Sequence, residues 1–277
     1  MAGGIASKFG IRYFTDRFFS YSSKDDLWHE ESRLPEDLHH AALVSCNDRL
    51  FLVGGFNGSY RHVWKMRDRV YEYVDHKWVE LTNLPQPQAE GVLTCHEGQI
   101  HLVSGQSPRS EKNSERHHHI EVSRHLVWEP SSTKWESAAP MPLPRNSAAG
   151  GWASNQLIIT GGRNAACNFN ATHIYDKKED RWRDAKPLPL PQAGTASVSV
   201  DDGIIVFGGE IFVPKSGVFK NVWRYSLSKD EWTPMPDMPT PRHGIGAGKI
   251  GNKVYAVGGA TAPGGNGTTD VNEMLEI

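Results

Sequence analysis

Ten polar side chains recur in step along this sequence and have the types to act together: His39, His40, Gln88, Arg145, Asn146, Arg163, Gln192, Glu210, Arg242 and His243. Those at 39–40, 88, 145–146, 192 and 242–243 follow proline-bearing stretches and lead into new strand-like segments, whereas Arg163 and Glu210 directly follow glycine pairs. Arginines can hold a carboxylate through paired N–H donors. A glutamate and imidazoles can give and take protons. Converging on one funnel, such a set suits a polar or anionic ligand, a sugar acid for example, with Glu210 as the proton-transfer residue if that ligand is turned over. Each residue also has a purely structural reading: an arginine after proline at the start of a strand can simply satisfy loop carbonyls.

Two other groups bear on chemistry. Glu115, Arg116, His117, His118, His119, Glu121 and His125 crowd one segment. Histidine and glutamate at that density could hold a metal, but the ligand spacing is irregular. The segment reads as a surface loop, with no metal and no cofactor expected. The three cysteines, Cys46, Cys95 and Cys167, are odd in number and form no C-x-x-C pair. They make neither a disulfide framework nor a redox motif and read as three small, mostly buried thiols.

What must position these groups is legible as a repeat. Apolar runs ending in a glycine pair recur as Phe51-Leu52-Val53-Gly54-Gly55, Leu157 to Gly162, Ile204 to Gly209 and Val254 to Gly259, with a degenerate copy at His101 to Gly105 and a remnant at Gly3-Gly4. Each unit then places an aromatic and, seven residues later, a tryptophan: Tyr21 and Trp28, Tyr71 and Trp78, Trp128 and Trp135, Tyr175 and Trp182, Tyr225 and Trp232. From each tryptophan to the first position of the next pair is 26 residues in all five cases. Small four-stranded antiparallel sheets, strands a to d, cannot bury both faces alone, and radial stacking buries them between neighbours. The glycines end strand b where backbones approach closely, and the aromatics of c and d fill the space between blades. The fold class is therefore all-β.

Glycine pair, aromatic and tryptophan together resemble the Kelch repeat, and the resemblance spans nearly the whole chain. It is nearest to bacterial Kelch proteins related to sialic acid mutarotases, ending in segments like Met238-Pro239-Thr240-Pro241-Arg242-His243-Gly244 and Asp270-Val271-Asn272-Glu273. The resemblance implies a single β-propeller domain over residues 1–277. Six c-like segments against five a and five d segments give a six-bladed plan with an incomplete first and last blade, in which residues 270–277 form a regular strand c and Leu275 takes the aromatic's place. The alternative is closure with five blades, leaving residues 270–277 as a spare strand. An open seam exposes strand edges and invites self-association.

Function would sit where the d–a and b–c loops share a face. All length variation lies in the b–c loops: from second glycine to aromatic they count 17, 16, 23, 13 and 16 residues. Variable loops on a fixed scaffold are the usual layout of a binding surface. The resemblance implies a recognition module for a protein or polar small ligand, with a sugar-acid mutarotase or epimerase using Glu210 as the alternative and a truncated propeller without independent role as the third reading. A galactose-oxidase-type copper site and the iron motif of specifier proteins are not recognisable. A net charge of -2 gives no broad reason to expect nucleic acid or an anionic membrane as partner. No apolar stretch approaches membrane-helix length, and residues 1–10 show no signal-peptide core, which makes the cytoplasm the default compartment.

Overall fold

The computed structural model describes residues 1–8, 11–58 and 63–277, and it is all-β apart from two short 3-10 turns, Arg116–His118 and Pro263–Gly265. The described chain forms two compact units, Met1–Pro140 and Met141–Ile277. In the first unit, Ala42–Cys46, Arg49–Val53, Arg69–Val74 and Lys77–Asn83 make one antiparallel sheet in the order a-b-c-d, and Val92–His96, Gln99–Val103, His125–Trp128 and Trp135–Ser137 make a second. A separate hairpin, Phe19–Ser22 with Leu27–Glu30, supplies one further c–d pair. In the second unit, Ala149–Ala153, Gln156–Thr160, Thr172–Asp176 and Arg181–Ala185 form one sheet, and Ala196–Val200, Gly203–Phe207, Val222–Ser226 and Glu231–Met235 form the next. A three-stranded sheet follows, of Gly246–Ile250, Lys253–Val257 and Asn272–Glu276.

Among the described residues, five sheets are thus built on an a–b hairpin, the number of blades in the alternative count. Asn272–Glu276 pairs with the b strand Lys253–Val257, Leu275 opposite Val254, so it occupies the c position of the fifth sheet.

The repeat markers do the work expected of them. Gly208 has φ +66, and a Cβ there would stand 2.5 Å from the carbonyl oxygen of Arg242. The next residue, Gly209, donates its N–H to that same carbonyl at 2.8 Å. Gly161 and Gly162 repeat both features against Gln192. The pair therefore lets strand b dock its main chain directly on the neighbouring sheet, which a side chain would block. Aromatic and tryptophan face one another across the c–d ladder, with ring centroids 5.2 Å apart for Tyr175–Trp182 and 4.9 Å for Tyr225–Trp232. The tyrosine hydroxyl donates to an aspartate in the c–d turn, Asp180 or Asp230, at 2.7 and 2.6 Å. Leu34 and Leu84 in the first unit and Met141, Leu188 and Met238 in the second, one per d–a loop, bury the loops themselves.

One expectation is corrected. Cys46 and Cys95 are a disulfide with Cα atoms 5.5 Å apart, stapling the a strands of the two four-stranded sheets in the first unit, and only Cys167 is free and exposed. The pairing arises from the side-by-side approach of two a strands, which residue spacing alone does not display.

Candidate ligand-facing site

Four of the ten candidate residues serve the frame. Gln88 donates through Nε2 to the carbonyl of Ser104 at 2.6 Å, Arg145 through Nη1 to Gly161 at 2.8 Å, Gln192 through Nε2 to Gly208 at 2.8 Å, and Arg242 through Nη1 to Gly258 at 2.7 Å. In every case the acceptor lies 16 residues on, at the first position of that sheet's own glycine pair or its degenerate copy. Arg145 also donates to Ala171, and Arg242 to Val271 and to the Glu273 carboxylate. All four side chains are buried. They clamp the end of strand b to the start of strand c, a structural role. Burial pushes the Arg145 pKa down to about 10, still charged at neutral pH. The Nδ1 of His173 faces Arg145 Nη2 at 2.6 Å, so it accepts. Burial first, and then the Arg145 charge, push His173 down to about 4.

In the second unit, three others come together. Arg163 and Glu210 each follow a glycine pair and bridge by main chain to Asn146 and Ala193, the residues leading into strand a. Arg163 Nη1 stands 2.6 Å from Glu210 Oε1. His243 Nε2 stands 3.3 Å from Glu210 Oε2, which also accepts the Gly264 N–H at 2.8 Å. Burial works to raise the Glu210 pKa, but the Arg163 and His243 charges and the donated hydrogen bonds outweigh it and hold the carboxyl below its usual range. Burial lowers His243, with Glu210 opposing. Asn146 accepts from the Ser147 hydroxyl at 2.8 Å.

In the first unit, His39 and His40 sit together. His39 is buried, stacked on Phe14 at 4.4 Å and near Phe56 at 5.4 Å, and its Nδ1 lies 2.7 Å from His40 Nδ1. Burial first, and then the neighbouring His40, drive the His39 pKa down to about 3. Beside them is a residue that sequence reasoning missed. Glu90, its side chain only 3% exposed, has a carboxylate oxygen 3.6 Å from His40 Nε2. The available signal was positional: 40, 90, 147, 194 and 244 are equivalent in the repeat, and all have positive φ. Glycine stands at the last two, so a histidine or glutamate there is conspicuous.

Around these positions the b–c connections form ordered arms. Gln106–Pro108 pairs with His119–Glu121, Glu210–Ile211 with Gly217–Val218, and Ala260–Ala262 with Asn266–Thr268. Neighbouring arms within a unit are tied by side chains. Asn113 both accepts from and donates to the Met66 main chain, and Asn168 donates to the Glu210 carbonyl at 2.7 Å. The arm after Gln106 and the d–a loop at Gln86 and Pro87 enclose a cleft of about 390 Å³ that includes Arg109 and Glu111. Phe212 (40%) and Val213 (65%) stand exposed on their arm, with Arg163 over the Phe212 ring at 5.3 Å.

A family model described as "Kelch motif" matches residues 193–239. Beta-scruin of Limulus polyphemus is 25% identical over 135 residues, covering 49% of this chain and 14% of that protein. Kelch-like protein terF of Aspergillus terreus (strain NIH 2624 / FGSC A1156) is 25% identical over 272 residues, 95% of this chain and 58% of that protein. Both curated relatives extend well beyond the part that this chain spans. The solved structure of YjhT superposes with a TM-score of 0.81 at 16% identity, covering 100% of this chain and 94% of that one. At that identity the likeness speaks for the fold alone.

Proposed function

We propose that this chain, a Kelch-repeat β-propeller, is a recognition module that contacts its partner, a protein, through the b–c arms and the residues at their bases. Kelch propellers are a general protein-binding scaffold. One observation carries the finer reading. The frame is locked by repeated buried clamps, while the segments that vary in length are ordered hairpins tied to one another and tipped with exposed apolar side chains such as Phe212 and Val213. A preorganised arm loses little conformational freedom on binding, so apolar burial at its tip is retained as affinity. Arg163, beneath Phe212, adds a cation at the arm's base.

The mutarotase alternative has less support. It asks Glu210 to exchange a proton with a ligand, but one oxygen is held by Arg163, and the other takes the Gly264 N–H and faces His243. A carboxyl held below its usual range is a poor general acid at neutral pH. Among the described residues no helix is long and apolar enough to cross a membrane.

The test is site-specific photocrosslinking in cells of the source organism, with the probe at Val213 on the arm or at Lys178 in the c–d turn at the other end of a sheet. Discrete protein adducts from Val213 and none from Lys178 are expected, and Phe212→Asp with a probe at Gly217 should abolish them. Identical adducts from both positions, or none from the arm, would overturn the proposal. A thermal shift with sugar acids that is lost in Arg163→Ala would favour the small-ligand reading instead.

A further inference from the structure

The cleft between the arm after Gln106 and the d–a loop at Gln86 and Pro87 is shaped by the chain's own bonds. The Ser107 hydroxyl donates to the Pro87 carbonyl at 2.8 Å and fastens the arm to the loop. Farther along the arm, Asn113 is held at both ends of its amide by the Met66 main chain. The volume, about 390 Å³, lies at the lower end of the range of about 300–1,000 Å³ typical of ligand pockets.

Its walls present donors that have no acceptor. Arg109 donates its main-chain N–H to the His118 carbonyl at 2.8 Å and its Nε–H to the His119 carbonyl at 3.0 Å. Those bonds hold the side chain in place, while its Nη1 and Nη2 hydrogens meet no acceptor among the described residues. On the loop wall, Gln86 Oε1 accepts from Arg124 Nη2 at 2.5 Å. A guanidinium only donates, so the amide oxygen is the atom turned to Arg124. The Gln86 Nε2 hydrogens are then free among the described residues.

Charge is out of balance in the same place. Arg124 is half-buried and held by two side-chain amides, Gln86 and, through Nη1 at 3.1 Å, Gln88. Burial lowers its pKa, and no carboxylate opposes that shift. A cation partly withdrawn from water without a counter-ion is costly. Among the described residues, neither Arg109 nor Arg124 forms an ion pair, and Glu111, exposed, is the carboxylate that lines the cleft. Two arginines against one glutamate leave one positive charge in excess. That suits a single carboxylate better than a phosphate, which carries about 1.5–2 negative charges.

We propose that this cleft takes the carboxylate of an aspartate or glutamate in an extended segment of the protein partner. The inference rests on the recognition reading above and names the chemistry that the partner brings to it. Arg109 grips the carboxylate through Nη1 and Nη2 as a planar fork, and Gln86 Nε2 donates to it from the loop. Arg124 is a positioning residue: it fixes the Gln86 amide and supplies the second positive charge from behind. Pro87 and Pro108 give the flanking residues of the segment apolar contacts.

The experiment pans the purified full chain against a library of random dodecapeptides. Selected peptides are expected to share an aspartate or glutamate at one position and to bind Arg109→Glu at least tenfold more weakly. Replacing that acid by lysine should restore binding to Arg109→Glu. Gln86→Glu is the second variant and leaves Arg109 untouched. It sets a carboxylate beside Arg124, so it should raise the Tm while weakening the same peptides at least tenfold. A structural glutamine would not couple a gain in stability to a loss of binding. The proposal is overturned by a library that yields no binder, by binders without a shared acid, by equal affinity for both variants and the unaltered chain, or by a tenfold preference for phosphoserine at the shared position. The recognition reading fails separately, if the Val213 probe gives no adducts, and it stands if Val213 gives adducts while the cleft takes no acid.

Discussion

Removing the Cys46–Cys95 bridge should produce a large and specific loss of stability. The bridge closes a loop of 49 residues. By chain entropy alone, a loop of that length stabilises the folded state by about 4 kcal/mol at 25 °C. Cys46 is buried in the apolar cluster that also contains Phe51, Val70, Leu102 and Trp128, with Cys95 packed against it. The double variant Cys46→Ala/Cys95→Ala therefore adds the loss of one buried and one partly buried sulfur atom, a term of similar sign. Reduction by a phosphine keeps those atoms and isolates the cross-link. Guanidinium titrations of oxidised, reduced and double-Ala protein measure both, with the reduced form expected about 3–4 kcal/mol less stable and the variant slightly below it. Thiol counting in denaturant without reductant should find one reactive group, Cys167. Three titrating thiols in freshly purified, folded protein would refute the reasoning at its first step. A reduced protein within about 1 kcal/mol of the oxidised one would refute it at the second. A bond of this kind persists in oxidising compartments.

The remaining predictions concern the frame. Gly208→Ala should destabilise by more than about 2 kcal/mol in a urea titration, because its Cβ would meet the Arg242 carbonyl at 2.5 Å on top of the strain at φ +66. The same change at Gly217, whose surroundings are open and whose φ is ordinary, should be within about 0.5 kcal/mol of neutral. Stability should also fall as the medium is acidified. His173 has a folded pKa of about 4 against an ordinary 6.5, so the unfolded chain binds its proton first, and the contribution present above pH 6.5 is lost between there and pH 4. The full span corresponds to about 3 kcal/mol. Urea midpoints at pH 7, 5.5 and 4.5 should fall less steeply in His173→Phe than in the unaltered chain, and equal slopes would rule out this source.

How much of this was legible in the sequence depended on whether a signal repeats. The interval of 26 residues between tryptophan and glycine pair has a direct structural cause. It spans strand d's exit, the buried Leu or Met of the d–a loop, and the a–b hairpin, all of fixed length because Gly208 and Gly161 must meet the carbonyls of Arg242 and Gln192. The fold was readable for that reason. The same regularity accounts for four of the ten candidate site residues. Gln88, Arg145, Gln192 and Arg242 recur because every sheet needs a donor for the carbonyl 16 residues on, and recurrence is the mark of the scaffold. Function in a repeat protein is to be sought where one copy departs from its siblings. Arg163 and Glu210 depart from Phe56, Gln106 and Ala260 at the strand-b exit, and they are the candidates that the structure brings together. His40 and Glu90 depart from Gly194 and Gly244 at a left-handed position, where the departure itself costs energy. Read alone, either is an unremarkable polar residue after proline. What joins them is a 3.6 Å approach between side chains of two different repeats, which has no counterpart in linear spacing.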